Sequence, residues 1–329
     1  MARSKTASNA ILYFEAGQSY VPMAAMDDSG DHAKFESGDE LWSGYEGKEP
    51  VVRPNGMVSG GVITPAASGD DDKVDVSAGT AYVSGALVTI PAATDLALTR
   101  ATPTDTHIVN SIVVTAGAYA VVAGAGHPAL SEPRAADGGP PLIPVDSVEV
   151  GQVRLNASAS AAVDADEIFQ VVGTHTERYD YPVWDEDWAN GEITFAATLP
   201  LIHTGGVAKK VFAAYYTPIF SEVPNAADFV PAETSHSVSS TQIYGGTVGE
   251  SSSSLGQGSF TARLKTGIND TLISHKNKTL WFKFLPDRYR SEFILTQGTL
   301  GIARQFPAGS AILANCTISA SSMSIDKES

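Results

Sequence analysis

Hydrophobic residues in this chain come in short runs, and several of the runs alternate with polar residues. In KVDVS (73–77) and TAYVS (80–84) the apolar residues alternate, which sets one face of each segment on a core and the other in solvent. Further runs of strand length are ILYFEAGQSYVPM near the start, then ALVTIPA, DLALTR, HIVNSIVVT, AYAVVAG, LIPVDSVEV and EIFQVVG. Toward the end come EITFAATLPLI, KKVFAAYYTPIF, TLWFKFLPD, SEFILTQGTLGIARQF and SAILANCTISASS. Their β-branched and aromatic content, punctuated by Gly and Pro, predicts strands joined by turns. PNG at 54–56 reads as a tight turn, and GHPALSEPRAADGGPPLIPV is too rich in proline to supply ladder donors, so it is expected to be a connection.

One helix is predicted. Ser259 suits an N-cap, and Phe260, Leu264, Ile268 and Leu272 recur every fourth residue as a stripe, with Gly267 weakening it by about 1 kcal/mol. Ahead of it, GGTVGESSSSLGQG is expected to be a flexible loop (Gly245, Gly249, Ser252, Gly256), because Gly and Ser recover little burial for the entropy of ordering them.

Texture divides the chain in three. Residues 58–172 are rich in Ala, Val and Gly with strand-length runs throughout, which predicts a small β-sandwich inserted into a discontinuous domain formed by 1–57 and 173–329. The expected fold is mainly β, a β-sandwich carrying one short helix plus the second small sandwich. A length of 329 residues agrees with two domains.

Charge narrows the function. A net charge of −16 opposes any grip on nucleic acid, which depends on Lys and Arg neutralising phosphates. A polymer that is repelled can still slide past an acidic wall. The basic residues concentrate at Arg263, Lys265, Lys276, Lys278, Lys283, Arg288 and Arg290, with only Asp270 and Asp287 among them. Such a patch suits an acidic neighbour, and Asp39 and Glu40 beside Trp42 and Tyr45 in DELWSGYEG are the matching candidates for contacts between subunits.

Chemistry is sparse. Seven histidines (32, 107, 127, 175, 203, 236 and 275) show no i, i+4 pair, and the aspartates of MDDSGDH and SGDDDK lack the spacing of a calcium loop. Glu177, Asp180, Asp185, Glu186 and Asp187 crowd Trp184 and Trp188, but clustered acids beside aromatics equally form interface rims. No nucleophile elbow, phosphate loop or dinucleotide fingerprint is present, so no catalytic residue, metal or cofactor is expected. The lone cysteine, Cys316, sits among strand formers and is expected to be a buried small hydrophobe. No run approaches the ~20 apolar residues of a membrane span, and MARSKTASNA lacks a leader's apolar stretch, so assembly in a cytoplasm without membrane insertion is expected.

Two resemblances follow from longer phrases. The last 130 or so residues, with LWFKFLPD (280–287), LTQGTLGI, FPAG and AILANCTISASS in order, resemble the major tail tube proteins of long-tailed bacteriophages. The middle phrases VDVSAGTAYVSGALVTIPA, IVNSIVVTAGAYAVVAGAG, PALSEP and PPLIPVDSVEVG resemble a small β domain of phage tail, baseplate and fibre proteins. The first implies a structural virion protein whose subunits form hexameric rings stacked into a tube for DNA ejection. Its partners would then be copies of itself, other tail proteins, and double-stranded DNA passing without specific binding. The middle module, on the tube exterior, leaves two alternatives open: a baseplate or fibre protein binding cell-surface glycan, with Tyr119 and Trp184 as exposed aromatics, or a capsid decoration protein.

Overall fold

The computed structural model describes residues 7–170, 183–244 and 246–328. Its regular structure is mostly β, with a single one-turn α-helix, Thr271–Ser274, among the described residues. The chain forms two compact units. The first comprises Met1–Val21, Leu41–Pro50 and Tyr215–Ser329; the second comprises Pro22–Glu40 and Val51–Ala214.

The first unit is built on one sheet. Its strand order is Ala226–Val230, Gly258–Leu264, Ile312–Ala320, Phe293–Gln305, Thr279–Leu285, Ile11–Ala25 and Val211–Glu222, the last two running on into residues of the second unit. Alternation sets the faces. In Ile312–Ala320 the residues Ala314, Cys316 and Ile318 are buried while Asn315, Thr317 and Ser319 are exposed. Phe14, Phe260, Leu280, Phe282 and Leu300 join them in the core, and Leu272 of the helical turn packs on the same face. Phe229, on the edge strand, stacks on Phe284 at 4.6 Å between ring centroids, although their strands stand four places apart in the order. In a flat sheet that separation would be about 19 Å, so the sheet curls over its core. Cys316 is 2% exposed, and burial pushes its thiol up to about 12, in line with the expected small hydrophobe.

The predicted helix over 260–272 is corrected. Gly258–Leu264 is a strand paired along its length with Ile312–Ile318, and Ile268 is 67% exposed. A spacing of four is also twice two, so Phe260 and Leu264 satisfy a strand as well as a helix. The intervening Ala262, buried at 1%, is the residue that decides for the strand. Gly267 then adopts φ +71°, and a Cβ there would lie 2.7 Å from the Phe306 ring, so the turn demands glycine.

In the second unit, three sheets enclose one core. Their orders are Gly56–Gly60, Gly79–Val83, Ala86–Ile90; Ala93–Ala97, Lys73–Val76, Ile63–Pro65; and Ala118–Ala123, Ile108–Thr115, Val148–Leu155, Ile168–Phe169. Val74, Val76, Ile90, Ile112, Val150 and Val153 fill the space between them. Ile108–Thr115 is buried along almost its whole length because its second face is also covered. Ile143 and Ile202 pack on Val113, while Arg134 reaches Glu149 at 2.5 Å and the Pro141 carbonyl at 2.6 Å. The proline-rich connection is therefore a lid on this sheet. Ser111 adds a hydrogen bond to Glu149 at 2.7 Å, so this buried carboxylate is paired.

The unit boundaries depart from the expected 57/58 and 172/173. Val51–Pro54 pairs with Val211–Ala214, and Lys34–Glu36 pairs with Glu192–Thr194, which draws 22–40, 51–57 and 183–214 into the second unit. A change of composition marks where texture shifts; pairing partners lie beyond it. The residues on either side of 172/173 fall outside those described. EITFAATLPLI, expected as one strand, is two, Glu192–Phe195 and Leu201–His203.

Glu15 ties the first unit together. Its side chain is fully buried and accepts hydrogen bonds from the Ser43 hydroxyl, the Gly44 N–H (3.2 Å) and the Trp281 N–H (3.1 Å). Gly44 is closely approached there: a Cβ would lie 2.8 Å from the Gln297 side-chain amide and 3.1 Å from the Trp281 ring, so a larger residue would have to displace them. Burial raises the Glu15 carboxyl above its ordinary 4.5, and the hydrogen bonds only partly offset this. A raised folded-state value means that Glu15's contribution to stability is fully present below 4.5 and is lost as pH rises through the folded-state value. Glu15→Gln turns an amide group toward backbone donors and is expected to cost about 1–3 kcal/mol. In urea titrations the gap between wild type and variant should narrow as pH rises above 4.5; a widening gap would contradict the assignment.

Candidate assembly surface

The residues expected to meet other subunits fall into distinct environments. Trp42 is fully buried, its carbonyl accepting from the Trp281 indole N–H at 2.7 Å and its ring 5.5 Å from that of Tyr215. It is a core residue, and the expectation of an intersubunit contact there is withdrawn. Tyr45 is half-buried, edge-on to His275 at 6.1 Å, and burial with the nearby Glu15 pushes its hydroxyl up to about 12. Asp39 and Glu40 are exposed, in the second unit.

The basic stretch divides in two. Lys283 lies 3.9 Å from the Phe293 ring centroid, Lys278 lies 5.6 Å from that of Tyr45, and Arg290 faces Asp287 at 3.9 Å and Glu292 at 3.6 Å. These cations serve the unit's own surface. Arg263, Lys265, Lys276 and Arg288 are exposed, and their side chains have no partner among the described residues.

Arg263 and Lys265 flank a cleft of about 360 Å³ floored by Phe14, Leu264 and Leu272. Asp270 shapes its rim. One carboxylate oxygen accepts from the Lys265 N–H at 2.7 Å, the other from Thr266 N–H at 3.1 Å and Gly267 N–H at 2.7 Å. Desolvation opposes ionisation of Asp270, but these bonds outweigh it and hold the carboxyl below its ordinary 3.8.

The stretch expected to be a flexible loop is instead half of a hairpin. Thr234–Ile243 and Gly246–Leu255 pair in one unbroken register, from Thr234↔Leu255 to Ile243↔Gly246. Hydroxyl pairs rung it: Ser235 with Ser254 at 3.0 Å and Ser237 with Ser252 at 2.8 Å. The Gly256 N–H donates to the Glu233 carbonyl at 2.8 Å and closes the base. Gly249 stands opposite Ser240 in the ladder, while Gly245 lies outside the described residues. The missed signal is the partner: TSHSVSSTQI carries no apolar alternation strong enough to read as a strand, and the pairing is carried by backbone and hydroxyl groups. Every described side chain of the hairpin is exposed, including Val238 at 76% and Tyr244 at its tip. It pairs with no other strand among the described residues.

Other candidates resolve locally. Tyr119, expected as an exposed aromatic, is 8% exposed and donates to the Ser77 carbonyl at 2.9 Å. Asp28 accepts from Gly30 N–H (2.8 Å) and His32 N–H (3.1 Å), and Asp31 from Ala33 and Lys34 N–H (both 2.8 Å), so these acids organise their own turn. Asp70 pairs with Lys73 and Asp72 with Arg100. Of the acids around the tryptophans, Glu186 accepts from the Trp188 indole and Asp187 from Asn190 and the Ala189 N–H; Glu177, Asp180 and His175 lie outside the described residues. No group of three or more His, Cys, Asp or Glu among the described residues could hold a metal ion. Comparison with protein-family models, with curated proteins and with solved structures finds no match to this chain.

Asp270→Ala should leave three backbone donors without their acceptor and cost about 1–2 kcal/mol by chemical denaturation at neutral pH. Because the folded-state value lies below 3.8, the contribution is present above 3.8 and is lost as pH falls through the folded-state value. Wild type and variant should therefore converge in strongly acidic buffer, and a difference that persists there would count against this role of the carboxylate.

Proposed function

We propose that this chain is a structural subunit that assembles with copies of itself, as the major tail tube protein of a long-tailed bacteriophage does. The observation that carries the reading is the hairpin Thr234–Leu255. A two-stranded ribbon without a packed face is marginal in water, so ten paired rungs whose described side chains are all exposed fit an arm that a neighbouring copy covers. In this reading subunits close into rings, six being the expected number, and the rings stack into a conduit in the virion tail. Double-stranded DNA passes through without specific binding, and other tail proteins cap the tube ends. The first unit's Arg263, Lys265, Lys276 and Arg288, exposed and without a side-chain partner among the described residues, are charged groups of the kind such contacts use. The glycan-binding alternative is weakened by the burial of Tyr119.

Electron micrographs of the purified protein at rising concentration are expected to show rings or tubes. A variant with the hairpin shortened to a two-residue connection between Ala232 and Gly258 should stay monomeric while keeping its far-ultraviolet β signal. Monodisperse wild-type monomer at every concentration and salt would contradict the reading.

A further inference from the structure

A strand at the end of a sheet carries backbone N–H and C=O groups that no neighbour pairs, and β proteins blunt such edges to keep other chains from adding to them. Among the described residues, apart from the two strands of the hairpin, no strand that ends a sheet order is longer than the six residues of Ala118–Ala123. Several are blunted further. Ala226–Val230 and Ala93–Ala97 are broken by register shifts that span Asp228 and Asp95, both at φ +55°. Val51–Pro54 and Ile63–Pro65 end in proline, which has no N–H to give, and Trp184–Asp187 carries three acids.

The hairpin has none of these devices. Thr234–Ile243 and Gly246–Leu255 keep one register over ten pairs, and residues 234–255 contain no proline, lysine or arginine and a single carboxylate, that of Glu250. Each strand turns one edge to its partner and leaves about five N–H and about five C=O groups along the other edge. No further strand meets those edges among the described residues.

We infer that the arm is completed edge to edge by the same arm of other copies, Thr234–Ile243 of one against Gly246–Leu255 of the next. This rests on the assembly reading above and deepens it, naming backbone strand addition as the contact and the arm itself as the partner. Length selects the occupant, since among the described residues only another arm offers an unbroken edge of ten residues. The order follows from what each contact leaves over. Pairing Thr234–Ile243 with its own counterpart is isologous and ends at a dimer with both Gly246–Leu255 edges open. Pairing unlike strands is heterologous, satisfies both edges of an arm, and keeps neighbouring strands antiparallel when all arms point the same way, as around a ring. It also sets the strand that holds Glu250 against one without a carboxylate.

Magic-angle-spinning NMR of assemblies grown from an equal mixture of ¹⁵N-labelled and ¹³C-labelled full-length protein tests the pairing, because ¹⁵N–¹³C transfer then reports on contacts between copies. Cross-peaks are expected from amides of 234–243 to carbonyls of 246–255, and from amides of 246–255 to carbonyls of 234–243. Cross-peaks that join 234–243 only to itself, or 246–255 only to itself, overturn the head-to-tail order. Arm amides that reach only carbonyls outside 234–255, or no carbonyl of another copy, overturn arm-to-arm pairing and leave assembly standing. Wild-type protein that never assembles overturns both.

Discussion

The first unit is tied together at the buried carboxylate of Glu15. Glu15 gathers donors from Ser43, Gly44 and Trp281, residues 28 to 266 positions away in sequence, and so fastens the loop 41–50 and the strand Thr279–Leu285 onto the first strand. Removing a charge from water is costly, and the raised proton affinity of Glu15 records that cost. What is gained is position: Trp42 and Tyr45 are seated against Tyr215 and His275, and the indole of Trp281 is turned onto the Trp42 carbonyl. The curled sheet and the helical turn that carries Leu272 pack beside this knot.

The second unit solves the same problem differently. Its central strand is buried on both faces, which is possible because Ser111, Glu149 and Arg134 satisfy one another beneath the proline-rich lid. Both units thus hide a few charged groups completely and keep most of the others on the surface. The hairpin stands apart from this pattern. Its serine ladder pairs its own hydroxyls and backbone while its described side chains are all exposed, which is the physical ground for proposing a partner outside the subunit.

Much of the architecture was legible where alternation was clean. KVDVS and TAYVS in the second unit, and LWFKFL and ILANCTISA in the first, all became strands close to their expected positions, and Cys316 became the buried residue its neighbours implied. Legibility failed for three physical reasons. A period of four does not separate helix from strand, so the stripe from Phe260 to Leu272 fits either, and the burial of Ala262 is what distinguishes them. Hydroxyl-rich strands carry no hydrophobic signal, so the hairpin passed for a loop. Buried polar anchors such as Glu15, Glu149 and His203 have no signature in one sequence, because their burial is decided by partners far along the chain. Among the surface candidates, the cations were found, but which of them are spent within the unit, as Lys283 is on Phe293, follows only from three-dimensional neighbours.

The central claim is that the arm 234–255 is completed by another copy of the chain. Amide hydrogen exchange across that segment, measured at low and at high protein concentration, addresses it most directly. The account predicts rapid exchange in dilute protein and strong protection once assemblies form, with the core strand Ile312–Ala320 slow in both. Equal exchange of the arm at both concentrations, in samples shown to differ in assembly, would contradict it.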